Sequence, residues 1–96
     1  MLITGVDIVE IDRVGRVAEE YGKRFLERIY TEQEILYCRG RAPQLASRFA
    51  AKEAVMKLLG TGTRGVGWKD IEIRRRRGSA PFIELHARAK IRAEQI

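Results

Sequence analysis

Apolar positions along this chain change period several times, and each change marks an element. Residues 2 to 11, "LITGVDIVEI", set Leu, Ile and Val among single polar positions and predict a first β-strand. Side chains alternate across a strand, so Ile3, Gly5, Asp7, Val9 and Ile11 share one face. Asp12 then stands as the cap of a helix in which Val14, Val17, Ala18 and Tyr21 recur at helical spacing, ended by Gly22. A short helix is expected from Lys23 to Ile29. Thr31 and Glu34 form a T-x-x-E capping box that opens a third helix, running to about Arg39. Gly40 and Pro43 punctuate the next break, and the longest helical pattern runs from Pro43 to Leu59, with Pro at its start and Gly60 at its end. "WKDIEIRR" alternates as a strand, "RGSAP" is a turn, "PFIEL" a further strand and "HARAKIRAEQI" a final helix. The order predicts a single α+β domain over residues 1–96, a small antiparallel sheet set against a long central helix.

Two polar residues break this pattern, and they carry the candidate chemistry. Asp7 points the same way as Ile3 and Val9, although Asp is depleted in strands and rarely buried without a partner. On the central helix, Leu45, Phe49, Met56 and Leu59 form an apolar stripe that Ala51, Val55 and Leu58 widen. Arg48 and Lys52 fall inside that arc, with Glu53 and Lys57 at its border one turn apart. The plainest reading makes Glu53 and Lys57 an i,i+4 pair and lets Arg48 and Lys52 snorkel outward. The sharper reading joins both anomalies. If the strand packs on the helix, Asp7 and Glu53 converge, and two adjacent carboxylates call for a cation between them. Oxygen ligands in a partly open site suit Mg²⁺, which completes its shell with water and phosphate. Arg48, Lys52 and Lys57 would then bind phosphate beside it, an arrangement for phosphoryl-type displacement.

"GTGTRGVG", residues 60–67, matches G-x-G-x-x-G at Gly60, Gly62 and Gly65. A helix precedes it and a strand follows, the reverse of a dinucleotide-binding turn, and no Lys follows the glycines as a P-loop requires. What remains is a helix cap at Gly60 and a connector whose N–H groups could touch a phosphate, or do nothing chemical.

Charge narrows the partners. Lys and Arg total 19 against 13 Asp and Glu, a net +6, which favours an anionic partner: nucleic acid, a phosphorylated small molecule or an acidic protein. Nucleic acid is the weaker choice despite the "RRRR" run at Arg74–Arg77, because aromatic residues are few and scattered. That run reads as a solvated strand end, or as a grip on phosphate. Cys38, the single cysteine, can form no disulfide within the chain and fits a reducing cytoplasm. Cys38 and His86 read as helix and surface or capping residues rather than catalysts, and Trp68 as core or interface. No stretch approaches the length of a membrane helix.

"GVDIVEIDRV", "RFLERIYTEQE", "SRFAAKEAVMKLLGTG" and "GWKDIEI" together resemble the holo-[acyl-carrier-protein] synthases, small bacterial 4′-phosphopantetheinyl transferases, in order and over almost the whole chain. The resemblance implies that family's fold, homotrimers with active sites between subunits, and transfer of phosphopantetheine from coenzyme A to a serine of apo-acyl carrier protein. It implies Mg²⁺ held by Asp7 and Glu53, Lys57 facing the phosphates, and Arg48 near the nucleotide end of coenzyme A. It also places Arg13, Arg24 and Arg28 on the face that meets the acidic carrier. The proton acceptor stays open between Glu53 and a metal-bound water. Family members continue into a Ser-x-Ser-His strand that has no counterpart before Ile96, so the sheet is expected to lack it.

Overall fold

The computed structural model of the chain describes residues 8–60 and 65–96. Five helices and a two-stranded sheet follow in the order α1 (Ile8–Tyr21), α2 (Lys23–Ile29), α3 (Glu32–Cys38), α4 (Ala42–Leu59), β1 (Ile71–Arg74), β2 (Phe82–Leu85) and α5 (Ala87–Gln95), with a 3-10 turn at Trp68–Asp70 before β1. The expected α+β class holds.

Helix α1 corrects the first expectation. From Ile8 onward the chain is helical, so Asp12 is not a cap but an outward residue within the helix, 3.0 Å from Arg16. Over residues 9–11 a strand and a helix fit the pattern about equally well. Packing decides: Ile11, Val14 and Ala18 lie three and four residues apart and join one core cluster. Helices α1 and α4 pack closely, for a Cβ placed on Gly15 would come within 3.1 Å of Ala42 Cβ. The strand expected over residues 2–7, with Asp7, lies outside the described residues.

The remaining elements follow their local signals. The capping box at Thr31 forms in both directions, Thr31 Oγ1 accepting from the Glu34 amide and Glu34 from the Thr31 amide. Gly60 closes α4 in the left-handed conformation at φ 74°, the region where a side chain would be strained. Strands β1 and β2 pair antiparallel, Ile71 opposite Leu85 and Glu72 opposite Glu84.

Helix α4 links two core clusters. Its N-terminal half gives Leu45 and Ala46 to a cluster with Val14, Ile29, Tyr30 and Cys38. Its C-terminal half gives Val55, Met56 and Leu59 to one with Val66, Ile71, Ile73 and Ala89. Trp68 is partly buried against both and stacks on Phe49 at 5.0 Å. Leu58, placed by the sequence pattern in the apolar arc, is 80% exposed.

Candidate active site on the central helix

The four charged residues of α4 separate into two kinds. Glu53 and Lys57 are exposed, and neither side chain makes a hydrogen bond or ion pair among the described residues. The simple i,i+4 pair is therefore not formed, and a carboxylate and an ammonium stand one turn apart with free faces. Arg48 and Lys52 do not snorkel outward: they are 6% and 0% exposed.

Lys52 is fully enclosed. Its ammonium meets Glu34 Oε1 at 2.8 Å and donates to the carbonyls of Trp68, at 2.9 Å, and Ile71. Three donors meet three acceptors, leaving no proton for a phosphate. Burial pushes its pKa down from the ordinary lysine value, opposed by the bond to Glu34. Its place among phosphate ligands is corrected accordingly: the side chain belongs to the core.

Arg48 lies across the ring of Tyr37, guanidinium carbon 4.3 Å from the ring centroid, and its buried Nε has no hydrogen-bond partner among the described residues. An orphaned donor of that kind is costly, and an acceptor brought by a ligand would relieve it. Arg48 borders an open groove of about 410 Å³ between α4 and the hairpin, lined also by Ala51, Leu58, Phe82 and Ile83. Gly60 caps α4 one turn after Met56, to which its amide donates at 3.1 Å.

On the helices that pack together before α4, Arg13, Arg24 and Arg28 are all exposed. Arg13 is tied to Glu10 at 2.6 Å, while Arg24 and Arg28 lie one turn apart on α2.

Two residues not expected from the sequence organise this region. Glu34, read as a capping residue, also takes the Lys52 ammonium on Oε1 and the amide of Ile73 on Oε2 at 2.8 Å. Glu72 is buried on β1, accepting from Thr31 Oγ1 at 2.6 Å and facing His86 Nε2 at 3.0 Å. Burial acts to raise the Glu72 pKa, but the bonds from Thr31 and His86 carry it below the usual carboxylate value. A capping-box signature shows only the local partner of Glu34; nothing in the sequence pattern points from it to Lys52.

His86 occupies the cap position of α5 without a side-chain capping bond, and its ring instead meets Glu72 and, at 3.5 Å, Glu84. The ligand atoms of Glu72, Glu84 and His86 lie within 4.8 Å of one another. Their oxygens are already shared with Thr31, His86 and Arg74, so the group works as a latch between the hairpin and α5. Cys38 is buried, its thiol pushed up to about 11 chiefly by desolvation, which agrees with an unreactive core role.

The described residues thus form a small helix-rich α+β fold whose longest helix presents an exposed carboxylate and ammonium one turn apart. A profile of the 4′-phosphopantetheinyl transferase superfamily matches residues 3–96, and the chain belongs to that superfamily. The holo-[acyl-carrier-protein] synthase of Gloeobacter violaceus is 50% identical over 95 residues, spanning 95% of this chain and 72% of the relative. That of Herpetosiphon aurantiacus is 43% identical over 103 residues, spanning 100% of this chain and 81% of the relative. Among solved structures, the Helicobacter pylori holo-[acyl-carrier-protein] synthase in complex with coenzyme A is 30% identical with a TM-score of 0.77, over 88% of this chain and 72% of that one.

Proposed function

We propose that this protein transfers the 4′-phosphopantetheine group of coenzyme A to a serine of apo-acyl carrier protein, releasing adenosine 3′,5′-bisphosphate, with Mg²⁺ required. The observation that carries this is the pair of exposed charges Glu53 and Lys57, one turn apart on α4 and unpaired among the described residues. In the reaction the serine oxygen bonds to the β-phosphorus of coenzyme A, the bridging P–O bond breaks, and the bisphosphate leaves with the electron pair. Lys57 stabilises charge on the leaving side. Arg48 would offer its free Nε–H to the nucleotide end. The serine proton passes to Glu53 or to water.

Glu53 fits a magnesium site in donor chemistry, a hard oxygen ligand exposed and without another partner among the described residues, and Asp7 would be the second carboxylate. Bound there, the ion would neutralise charge on the pyrophosphate. Arg13, Arg24 and Arg28 would meet the acidic carrier, giving the net +6 a use. Self-association into a trimer would cover the apolar groove and the exposed Leu58 and Ile83. A cytoplasmic location agrees with the single unpaired Cys38. No helix among the described residues is long and apolar enough to cross a membrane.

Nucleic-acid binding finds little support. Arg74 pairs with Glu84 at 3.0 Å, Arg75 donates to the Ser79 carbonyl and Arg76 covers the Phe82 ring, so the arginine run is largely engaged within its own hairpin.

The test incubates the protein with coenzyme A, Mg²⁺ and apo-acyl carrier protein and weighs the carrier by mass spectrometry. A gain of one phosphopantetheine is expected, abolished by Asp7→Ala or Glu53→Ala. Full activity in either variant removes the assignment of these ligands, and an unmodified carrier with the parent chain removes the function.

A further inference from the structure

Apolar residues surround α4 on every side. Leu45, Val55, Met56 and Leu59 face the core, yet Ala54 and Leu58 are exposed and Ala50 and Ala51 only half-buried. Hydrophobic sorting alone would not choose one rotation of such a helix about its axis. What sits at the centre of the buried arc is charged. At about 100° per residue, Lys52 lies roughly 20° from the directions of both Leu45 and Leu59, and roughly 120° from exposed Leu58. A rotation that buried Leu58 instead would draw the Lys52 ammonium away from Glu34 and from the carbonyls of Trp68 and Ile71. It would also swing Glu53 and Lys57 through a comparable angle.

The anchor beneath Lys52 is itself held. Glu34 Oε1 accepts from the Thr31 amide at 2.8 Å, and Oε2 accepts from the Ile73 amide at 2.8 Å, so its carboxylate is clamped by both α3 and β1. From Thr31 the chain of bonds continues to Glu72 and on to His86 at the start of α5. The residue after Lys52 is Glu53, and Lys57 follows one turn later. Buried polar groups of this kind are best attested where they select one register among several that packing would accept.

We propose that Glu34 and Lys52 are positioning residues for the transferase site: their buried pair fixes the rotation of α4 and so directs Glu53 and Lys57 toward coenzyme A and metal. The proposal rests on the transferase reading above. Neither residue touches substrate; both act through the helix.

The experiment uses the full chain. The double variant Lys52→Met with Glu34→Gln removes both charges together, so neither is left buried alone, and circular dichroism gives its folded fraction. Per folded molecule, kcat is expected to fall about tenfold or more while KM for coenzyme A moves less than about threefold. Mn²⁺ binding, followed by electron paramagnetic resonance, is expected to weaken about tenfold, a shift that mere loss of stability would not produce in the folded fraction. A folded double variant with parental kcat and Mn²⁺ affinity overturns the proposal. If the double variant does not fold, Glu34→Gln alone decides, since it keeps an oxygen for Lys52 but not its charge. An unchanged kcat and Mn²⁺ affinity per folded molecule there also overturns the proposal, and a loss in both upholds it. A parent chain that transfers nothing overturns the transferase reading instead, a result distinct from any variant-specific loss.

Discussion

Replacing Glu34 by alanine removes one side chain and strands three donors. The Lys52 ammonium, 0% exposed, loses the carboxylate that meets it at 2.8 Å, and the Ile73 and Thr31 amides lose their acceptors. Breaking a buried ion pair from one side costs about 3–5 kcal/mol, because the remaining charge stays desolvated. A buried amide left unpaired adds about 1–3 kcal/mol. The sum, about 4–8 kcal/mol, compares with a total stability of about 5–14 kcal/mol for a chain of 96 residues. Glu34→Ala should therefore be at best marginally folded at 25 °C. The assay is urea unfolding followed by the fluorescence of Trp68, the single tryptophan, which stacks on Phe49 in the core. Combining Glu34→Ala with Lys52→Met should recover about 2 kcal/mol or more, since the lone charge is then gone. A Glu34→Ala loss below about 1 kcal/mol, or strict additivity in the double variant, would refute a buried charge pair here.

Alkaline stability tests the Cys38 environment. Its thiol titrates at 9.0 when unfolded and about 11 when folded, so its contribution is intact below pH 9 and fades as pH rises toward 11, by about 3 kcal/mol in all. Tyr30, also pushed up by burial, adds to this loss, while Lys52, pushed down, opposes it. Cys38→Ala should flatten the decline of the urea midpoint over that range, and an unchanged slope would contradict the assigned burial effect. On the outer side of α4, Leu58→Glu should leave the fold intact, because the side chain is 80% exposed, yet prevent self-association seen by sedimentation; an unaltered sedimentation profile would show that this face is not an interface.

Local signals in the sequence located most elements. The Thr31–Glu34 box, Pro43 at the start of α4 and Gly60 at its end each reflect the backbone's need to satisfy its terminal groups, a need met by near neighbours. Over residues 8–11 a strand period and a helix period fit the few positions equally well, and the contact of Ile11 and Val14 with the core decides for the helix.

In the site, the sequence singled out Arg48, Lys52, Glu53 and Lys57 as charges out of keeping with an apolar helix, but not which pair faces outward. Glu53 and Lys57 face outward, unpaired among the described residues, whereas Lys52 is taken by a capping glutamate on another helix. The pattern of the chain thus determined which segments become helix and strand and which residues carry charge into the core. Folding alone decided the partners of those charges, and with them the rotation of α4. Periodicity records one residue's relation to its own segment, whereas a buried charge is settled by whichever opposite charge three-dimensional packing brings within reach.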